Sequence, residues 1–102
     1  MSTQAEKHYY VYMMANDRNG VIYTGVANDL IRRVNQHKTD CFEGFTKRYQ
    51  AHNLVYFEET GDLDSALNHE KRIKTWPRKR KIDLIETRNH EWKDLWPEII
   101  EG

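Results

Sequence analysis

Glu70 stands where an apolar side chain is expected. The spacing after Gly61 and Asp62 predicts a helix reaching about Trp76. At about 100° per residue, Leu63, Ala66, Leu67 and Ile73 span an arc of about 120° with Glu70 near its middle. A carboxylate there is costly to bury without a cation, a hydrogen-bond network or a cavity. Glu70 therefore reads either as half of an internal ion pair or as a ligand. Tyr12 and Tyr23 lie on two strand-like runs joined by a turn cluster. With a loop of Asn16 to Asn19, Ala15 faces Gly20 and the two phenols fall directly opposite each other on one face. A slip of one residue would put Tyr12 opposite Thr24 and split the tyrosines between faces. Arg33 and His37 are four apart and share a helix face. Lys71 to Lys81 carries seven basic residues and no acid, a region able to meet phosphates. Each feature also has a bland reading. Paired tyrosines pack hairpin cores, an Arg and a His on a helix sit in solvent, and a charge run solvates a surface.

The elements that must position these residues follow from periodicity and turn chemistry. Tyr9 to Ala15 and Val21 to Val26 are rich in β-branched and aromatic residues and read as a hairpin around Asn16-Asp17-Arg18-Asn19-Gly20. Asn28 or Asp29 can cap a helix running to about His37, with Leu30, Ile31 and Val34 as its apolar face. Lys38 to Asn53 reads as a long connection. Leu54 to Glu59 is a third strand centred on Val55, Tyr56 and Phe57. Pro77 ends the helix that carries Glu70 and suits the first turn of another, roughly Pro77 to Thr87. The tail with Trp92, Leu95 and Trp96 is expected to pack back as a helical turn before Pro97.

Composition sets the outer limits. At 102 residues, with 38% hydrophobic and 31% charged residues, the chain fits one soluble globular domain with a modest core. That domain is expected over 1–102, its core at about 8–96 behind a short polar tail. No apolar run approaches a membrane span, and Met1 to Lys7 has no signal-peptide core. Cys41 is the one cysteine, which excludes an intrachain disulfide framework and a thiolate zinc cluster. A cytoplasmic location is expected. Sixteen basic and sixteen acidic residues cancel, but acids gather at Glu58 to Asp64 and from Asp83 onward, so the surface should be polarised.

The order of the motifs carries more than any one of them. Tyr10-Val11-Tyr12, Tyr23-Thr24-Gly25, Asn28-Asp29-Leu30 leading to Arg33 and His37, Gly44 to Tyr49, Leu54 to Glu58, and Ala66-Leu67 through Glu70-Lys71 to Trp76 together resemble the GIY-YIG nuclease superfamily. The layout is similar to its small stand-alone bacterial members, related to the N-terminal incision domain of the bacterial excision-repair nuclease. The resemblance spans roughly Tyr9 to Trp96. It implies an α+β fold with a small three-stranded antiparallel sheet flanked by helices. It also implies a divalent-metal-dependent DNA endonuclease, using Mg²⁺ or Mn²⁺, that works in DNA repair or processing.

Residue by residue, the resemblance makes Tyr12 and Tyr23 the tyrosines of the first and second motifs. Gly25 is the second motif's glycine, where a side chain would crowd the site. Arg33 is the helix arginine, His37 the histidine-or-tyrosine position, and Glu70 the single metal-binding carboxylate. Lys47, Lys71 and Lys74 are expected to approach the DNA. The first motif departs from the pattern, with Tyr10 and Val11 in place of its glycine and isoleucine. The late asparagine of several members has no motif here; Asn68 and Asn89 are the candidates, and neither is assigned.

These residue types suit phosphodiester hydrolysis. A hard divalent ion can be held by one carboxylate plus waters and phosphate. Arg33 can take charge on the phosphate through its planar fork. A phenol, with an ordinary pKa of about 10, needs a cation to become a base. Arg33 and the metal are expected to supply that for Tyr12 or Tyr23, with a relay through His37. The competing readings are a non-catalytic nucleic-acid-binding module on the same scaffold and a protein-interaction domain using Trp92 and Trp96. No small-molecule cofactor and no membrane contact are expected.

Overall fold

The hairpin at the start of the chain forms around an asparagine. In the computed structural model, which describes residues 8–39 and 44–101 (for Phe45 and Thr46 without their side chains), β1 spans Tyr9–Ala15 and β2 spans Ile22–Ala27. Cys41, the N-terminal Met1 to Lys7 and Gly102 lie outside the described residues. Asn16 Oδ1 accepts the Val21 N–H at 2.9 Å, Gly20 N–H donates to Asp17 O at 2.9 Å, and Asn19 takes φ 60°. The Asn16 side chain thus takes an N–H that a four-residue loop would have left to the ladder. The loop has six residues, and Ala15 pairs with Ile22 instead of Gly20. This corrects the expected register by two residues, an even shift that preserves face parity. Tyr12 faces Gly25, Tyr23 faces Met14, and both phenols remain on one side of the sheet.

α1 (Leu30–Lys38) is capped by Asp29, whose carboxylate accepts the Arg32 N–H at 3.1 Å. The expected long connection holds a short helix, α2 (Phe45–Tyr49). β3 (Asn53–Thr60) then pairs with β1, giving a three-stranded antiparallel sheet ordered β2-β1-β3. Central β1 is buried on both faces from Val11 to Ala15, so it reads as a continuous apolar run. α3 (Leu63–Thr75) is capped by Asp62, which accepts from the Ser65 N–H at 2.8 Å and the Ser65 hydroxyl at 2.9 Å. Those bonds hold the Asp62 carboxyl below its ordinary pKa. α4 (Arg78–Arg88) follows Pro77, and α5 (Trp96–Glu101) ends the described chain. Pro97 lies in the first turn of α5, where its missing N–H has no helical partner to lose. The expectation of a turn ending before Pro97 is corrected accordingly.

Two cores lie on either side of the sheet. Val11, Met13 and Ala15 pack with Ala66, Ile73, Ile85 and Trp92 under α3 and α4. Tyr12, Met14 and Leu54 pack with Ala27, Leu30, Val34 and Ala51 under α1, with Leu95, Trp96 and Ile99 partly buried against them. β3 serves both through a bulge. Met13 pairs with Tyr56 and Met14 with Leu54, so Val55 is an extra residue. Val55 and Tyr56, adjacent in sequence, both join the α3–α4 core.

Asn89 closes the bulge. Its side-chain amide donates to Val55 O at 3.0 Å and Lys93 O at 2.8 Å, and its carbonyl accepts the Lys93 N–H at 2.9 Å. Asp94 accepts the Leu54 N–H at 3.1 Å and pairs with Lys38, and the Leu95 N–H donates to Leu54 O at 2.8 Å. The segment after α4 therefore covers the start of an edge strand that would otherwise be open. Trp92 is buried and donates to Glu86 at 2.7 Å. It is no exposed aromatic, and the protein-interaction reading loses that support.

Candidate active site

Tyr12, Tyr23, Arg33 and His37 converge on the α1 face of the sheet. Tyr12 is fully buried on the central strand, and His37 is buried in the last turn of α1. The Tyr12 hydroxyl and His37 Nε2 are 2.8 Å apart. The rings of Tyr12 and Tyr23 lie 6.2 Å apart, and that of Tyr23 is 5.2 Å from His37. Gly25 makes this possible. A Cβ there would sit 2.7 Å from the Tyr12 hydroxyl and 2.8 Å from the ring carbon bearing it. The two-residue register change thus replaces the expected Tyr12–Tyr23 opposition with a phenol lying over a glycine.

The electrostatics make both partners of the hydrogen bond neutral. Burial pushes the Tyr12 hydroxyl well above the ordinary phenol range; Tyr23 adds to this, and Arg33 opposes it without prevailing. Arg33 by itself does not bring Tyr12 down, because desolvation outweighs one neighbouring cation; the sequence-based expectation pairs Arg33 with a metal ion and leaves open which of Tyr12 and Tyr23 it acts on. Burial also brings His37 down to about 4, helped by the charges of Arg33 and His52. In the neutral tautomer that carries its proton on Nδ1, the Tyr12 hydroxyl donates and His37 Nε2 accepts. His52, just before β3, was not singled out by motif or spacing. It becomes visible only because the fold brings its charge within range of His37.

Glu70 is placed differently from its companions. α3 packs on β1 and β2 from the face carrying Val11, Met13 and Ala15, opposite the tyrosines. The helix does not bury the whole predicted arc. Ala66 and Ile73 are fully buried, whereas Leu63 and Leu67 are 42% and 37% exposed. Glu70 thus lies at the boundary of the buried face instead of its centre. Its side chain is 15% exposed and pairs with Lys74 Nζ at 2.7 Å. Among the described residues, no group of three or more His, Cys, Asp or Glu side chains could hold a metal ion.

The basic run is divided by its internal contacts. Arg78 donates to the carbonyls of Asn19 and Gly20 and so ties α4 to the hairpin loop. Lys79 pairs with Asp83 at 3.3 Å, and Arg80 stacks on Trp76 at 4.1 Å. Lys71 and Arg72 are exposed and Lys81 partly so, and these three form no ion pair among the described residues. Lys47 is exposed on α2. Asn68 is exposed, while Asn89 is committed to the β3 bulge. A cleft of about 300 Å³ lined by Asn28, Asp29, Arg32, Arg33 and Gln36 opens beside Arg33. A cleft of about 480 Å³ between the start of α1, Phe57 and Ile99 contains none of the site residues. Among the described residues, no helix is long and apolar enough to cross a membrane.

The chain is similar to known proteins. A UPF0213 protein of Staphylococcus saprophyticus is 35% identical over 80 residues, covering 78% of this chain and 95% of the relative. A UPF0213 protein of Oceanobacillus iheyensis is 30% identical over 86 residues, covering 84% and 98%. The solution structure of a UPF0213 protein from Bacillus halodurans superposes with a TM-score of 0.55 at 23% identity, covering 85% of this chain and 92% of the other. That likeness bears out the α+β fold. The family model described as the GIY-YIG catalytic domain matches residues 8–83, from the first strand through α3 and into α4. With both motif tyrosines, the helix arginine and the α3 carboxylate inside that span, the chain belongs to the GIY-YIG catalytic domain family, a nuclease-type family.

Proposed function

We propose that this chain is a divalent-metal-dependent DNA endonuclease that hydrolyses phosphodiester bonds in repair or processing, works in the cytoplasm, and forms a single domain with its core at about residues 8–96. The observation that carries this reading is the buried Tyr12–His37 hydrogen bond beside Arg33. A neutral imidazole accepting from a phenol is a ready path for a proton. An attacking water gives its proton to Tyr12 as Tyr12 gives its own to His37 Nε2, so no free buried phenolate forms. Arg33 lies beside this pair, where its guanidinium can bind the phosphate and take up charge as it develops. Tyr23 borders this pair, and Gly25 leaves the room that the Tyr12 phenol occupies.

Glu70 fits a hard ion that takes one carboxylate and keeps its remaining positions for waters and phosphate oxygens, as Mg²⁺ or Mn²⁺ does. Bound there, such an ion would supply charge neutralisation for the phosphoryl oxygens and relief for the leaving oxygen. Lys47, Lys71 and Lys74 contribute phosphate contacts.

The second reading, a nucleic-acid-binding module without catalysis, is favoured by one observation: the Glu70 carboxylate is already engaged by Lys74. Incubating the purified protein with duplex, flap and branched DNA, with and without Mg²⁺ or Mn²⁺, separates the two. Metal-dependent cleavage is expected, lost by orders of magnitude in Arg33→Ala and Glu70→Gln while both remain folded. Intact DNA binding with no cleavage under any metal would establish the binding module instead. Unchanged cleavage by Glu70→Gln would remove the metal assignment.

A further inference from the structure

The cation beside the proposed metal ligand is movable, and the ligand is not. Glu70 lies at the edge of the buried face of α3 with its side chain 15% exposed, whereas that of Lys74 is 52% exposed. Ala66 and Ile73, both fully buried, fix that edge of the helix against the sheet. Ala66, Leu67, Ile73 and Lys74 are the residues one helical turn from Glu70, and Lys74 alone among them carries charge. Its Nζ is 2.7 Å from Glu70 Oε2. Among the described residues, no other cationic side chain forms an ion pair with this carboxylate.

The pair is weak enough to open. A lysine ammonium is a compact charge on a flexible four-carbon stem, and an i,i+4 pair near the surface holds it by about a twofold equilibrium factor. It is still in the way of a metal. A divalent ion bound by either oxygen of Glu70 meets the repulsion of the neighbouring ammonium. A phosphate backbone removes that obstacle, because it offers the ammonium another anion within reach of its stem.

We propose that Lys74 is a placeholder cation: it neutralises Glu70 in the DNA-free protein and turns to a backbone phosphate when DNA binds, so that the carboxylate is released to the metal on the substrate complex. This rests on the reading that Glu70 holds a divalent ion and that the chain acts on DNA. It adds an order to assembly. DNA raises metal affinity, and by linkage the metal raises DNA affinity by the same factor. The Glu70–Lys74 pair is then the resting state of a nuclease.

Mn²⁺ binding followed by electron paramagnetic resonance tests this without turnover. Every protein carries Tyr12→Phe, which blocks cleavage under the proposed mechanism and lies across the sheet from α3. Fold is checked by circular dichroism, and Mn²⁺ held by the duplex itself is subtracted with Glu70→Gln. Without DNA, Lys74→Gln should bind Mn²⁺ about fivefold more tightly than the parent, combining the lost pair with the lost repulsion. Lys71→Gln, the same charge change one residue from Glu70, should shift it less than about twofold. Saturating duplex should tighten Mn²⁺ binding in all three, by about fivefold less in Lys74→Gln. Equal shifts from Lys74→Gln and Lys71→Gln would overturn the placeholder, leaving a general charge effect. So would a duplex that tightens Mn²⁺ binding as much in Lys74→Gln as in the parent. Glu70→Gln binding Mn²⁺ as well as the parent on the duplex defeats the metal assignment itself, and no duplex binding in fluorescence anisotropy defeats the DNA reading.

Discussion

His37 illustrates how far burial can move a side chain from its ordinary role. Its pKa of about 4 in the folded chain lies below the ordinary value of 6.5, so the unfolded state binds more protons between these limits. Stability should therefore be fully present above about pH 6.5 and fall as pH is lowered towards 4. Denaturant titrations across that range should show the loss, and His37→Gln should flatten it. Under the proposed mechanism the same neutrality keeps the proton path open in mild acid, so the acid limb of kcat/KM should lie well below the ordinary histidine range. Gly25 makes a complementary case. Gly25→Ala should push its methyl group into the Tyr12 phenol, costing about 1–3 kcal/mol of overpacking and breaking the bond to His37. Thermal denaturation and a cleavage assay would read the two losses separately. Tyr12 and Tyr23 were legible as neighbours on one face because the register moved by an even number of residues, whereas Arg33 took its place from the family resemblance and His37 from its spacing one turn on. The hydrogen bond between Tyr12 and His37 was not legible, because it depends on how α1 lies across the sheet.

At the scale of elements, the sheet and the main helices were legible from apolar periodicity and from caps such as Asp29 and Asp62. The six-residue hairpin loop was hidden because Asn16 uses its side chain as a surrogate for backbone pairing. The placement of Glu70 was half legible. The arc identified α3 as amphipathic, but which half of the arc meets the sheet is decided by the packing of β1 and β2. Asn89 shows an element held by one side chain. Asn89→Ala would leave Val55 O and both backbone groups of Lys93 without their partner, a cost of about 1–3 kcal/mol. Urea unfolding should show it, with faster amide exchange at Lys93 well before global unfolding.

Across the whole molecule, a formal net charge of zero conceals a directed surface. Arg78, Lys79 and Arg80 are exposed but engaged in the hairpin loop, an i,i+4 pair and a stack on Trp76, so fewer cations of the run of seven are left uncommitted than the sequence suggests. Arg72 and Lys81 remain outward-facing candidates. If both meet phosphates, Arg72→Gln and Lys81→Gln should each lower the slope of log affinity against log salt by about 0.9, measurable by fluorescence anisotropy. A slope that does not move would assign them to solvation. The charge run itself was legible from sequence, but its division was not, since it depends on the hairpin loop reaching α4.

The bulge in β3 has a consequence for how this chain can change length. Strand interiors ordinarily resist the loss of a residue, because every side chain beyond the cut would turn to the wrong face. Here Val55 is surplus to the pairing, and without it Leu54 and Tyr56 would still face Met14 and Met13 in regular alternation. The strand thus holds one position where a codon can be removed without inverting the sheet. What such a deletion would sever is the Asn89 anchor, so the length of β3 and the course of the chain after α4 are inherited together.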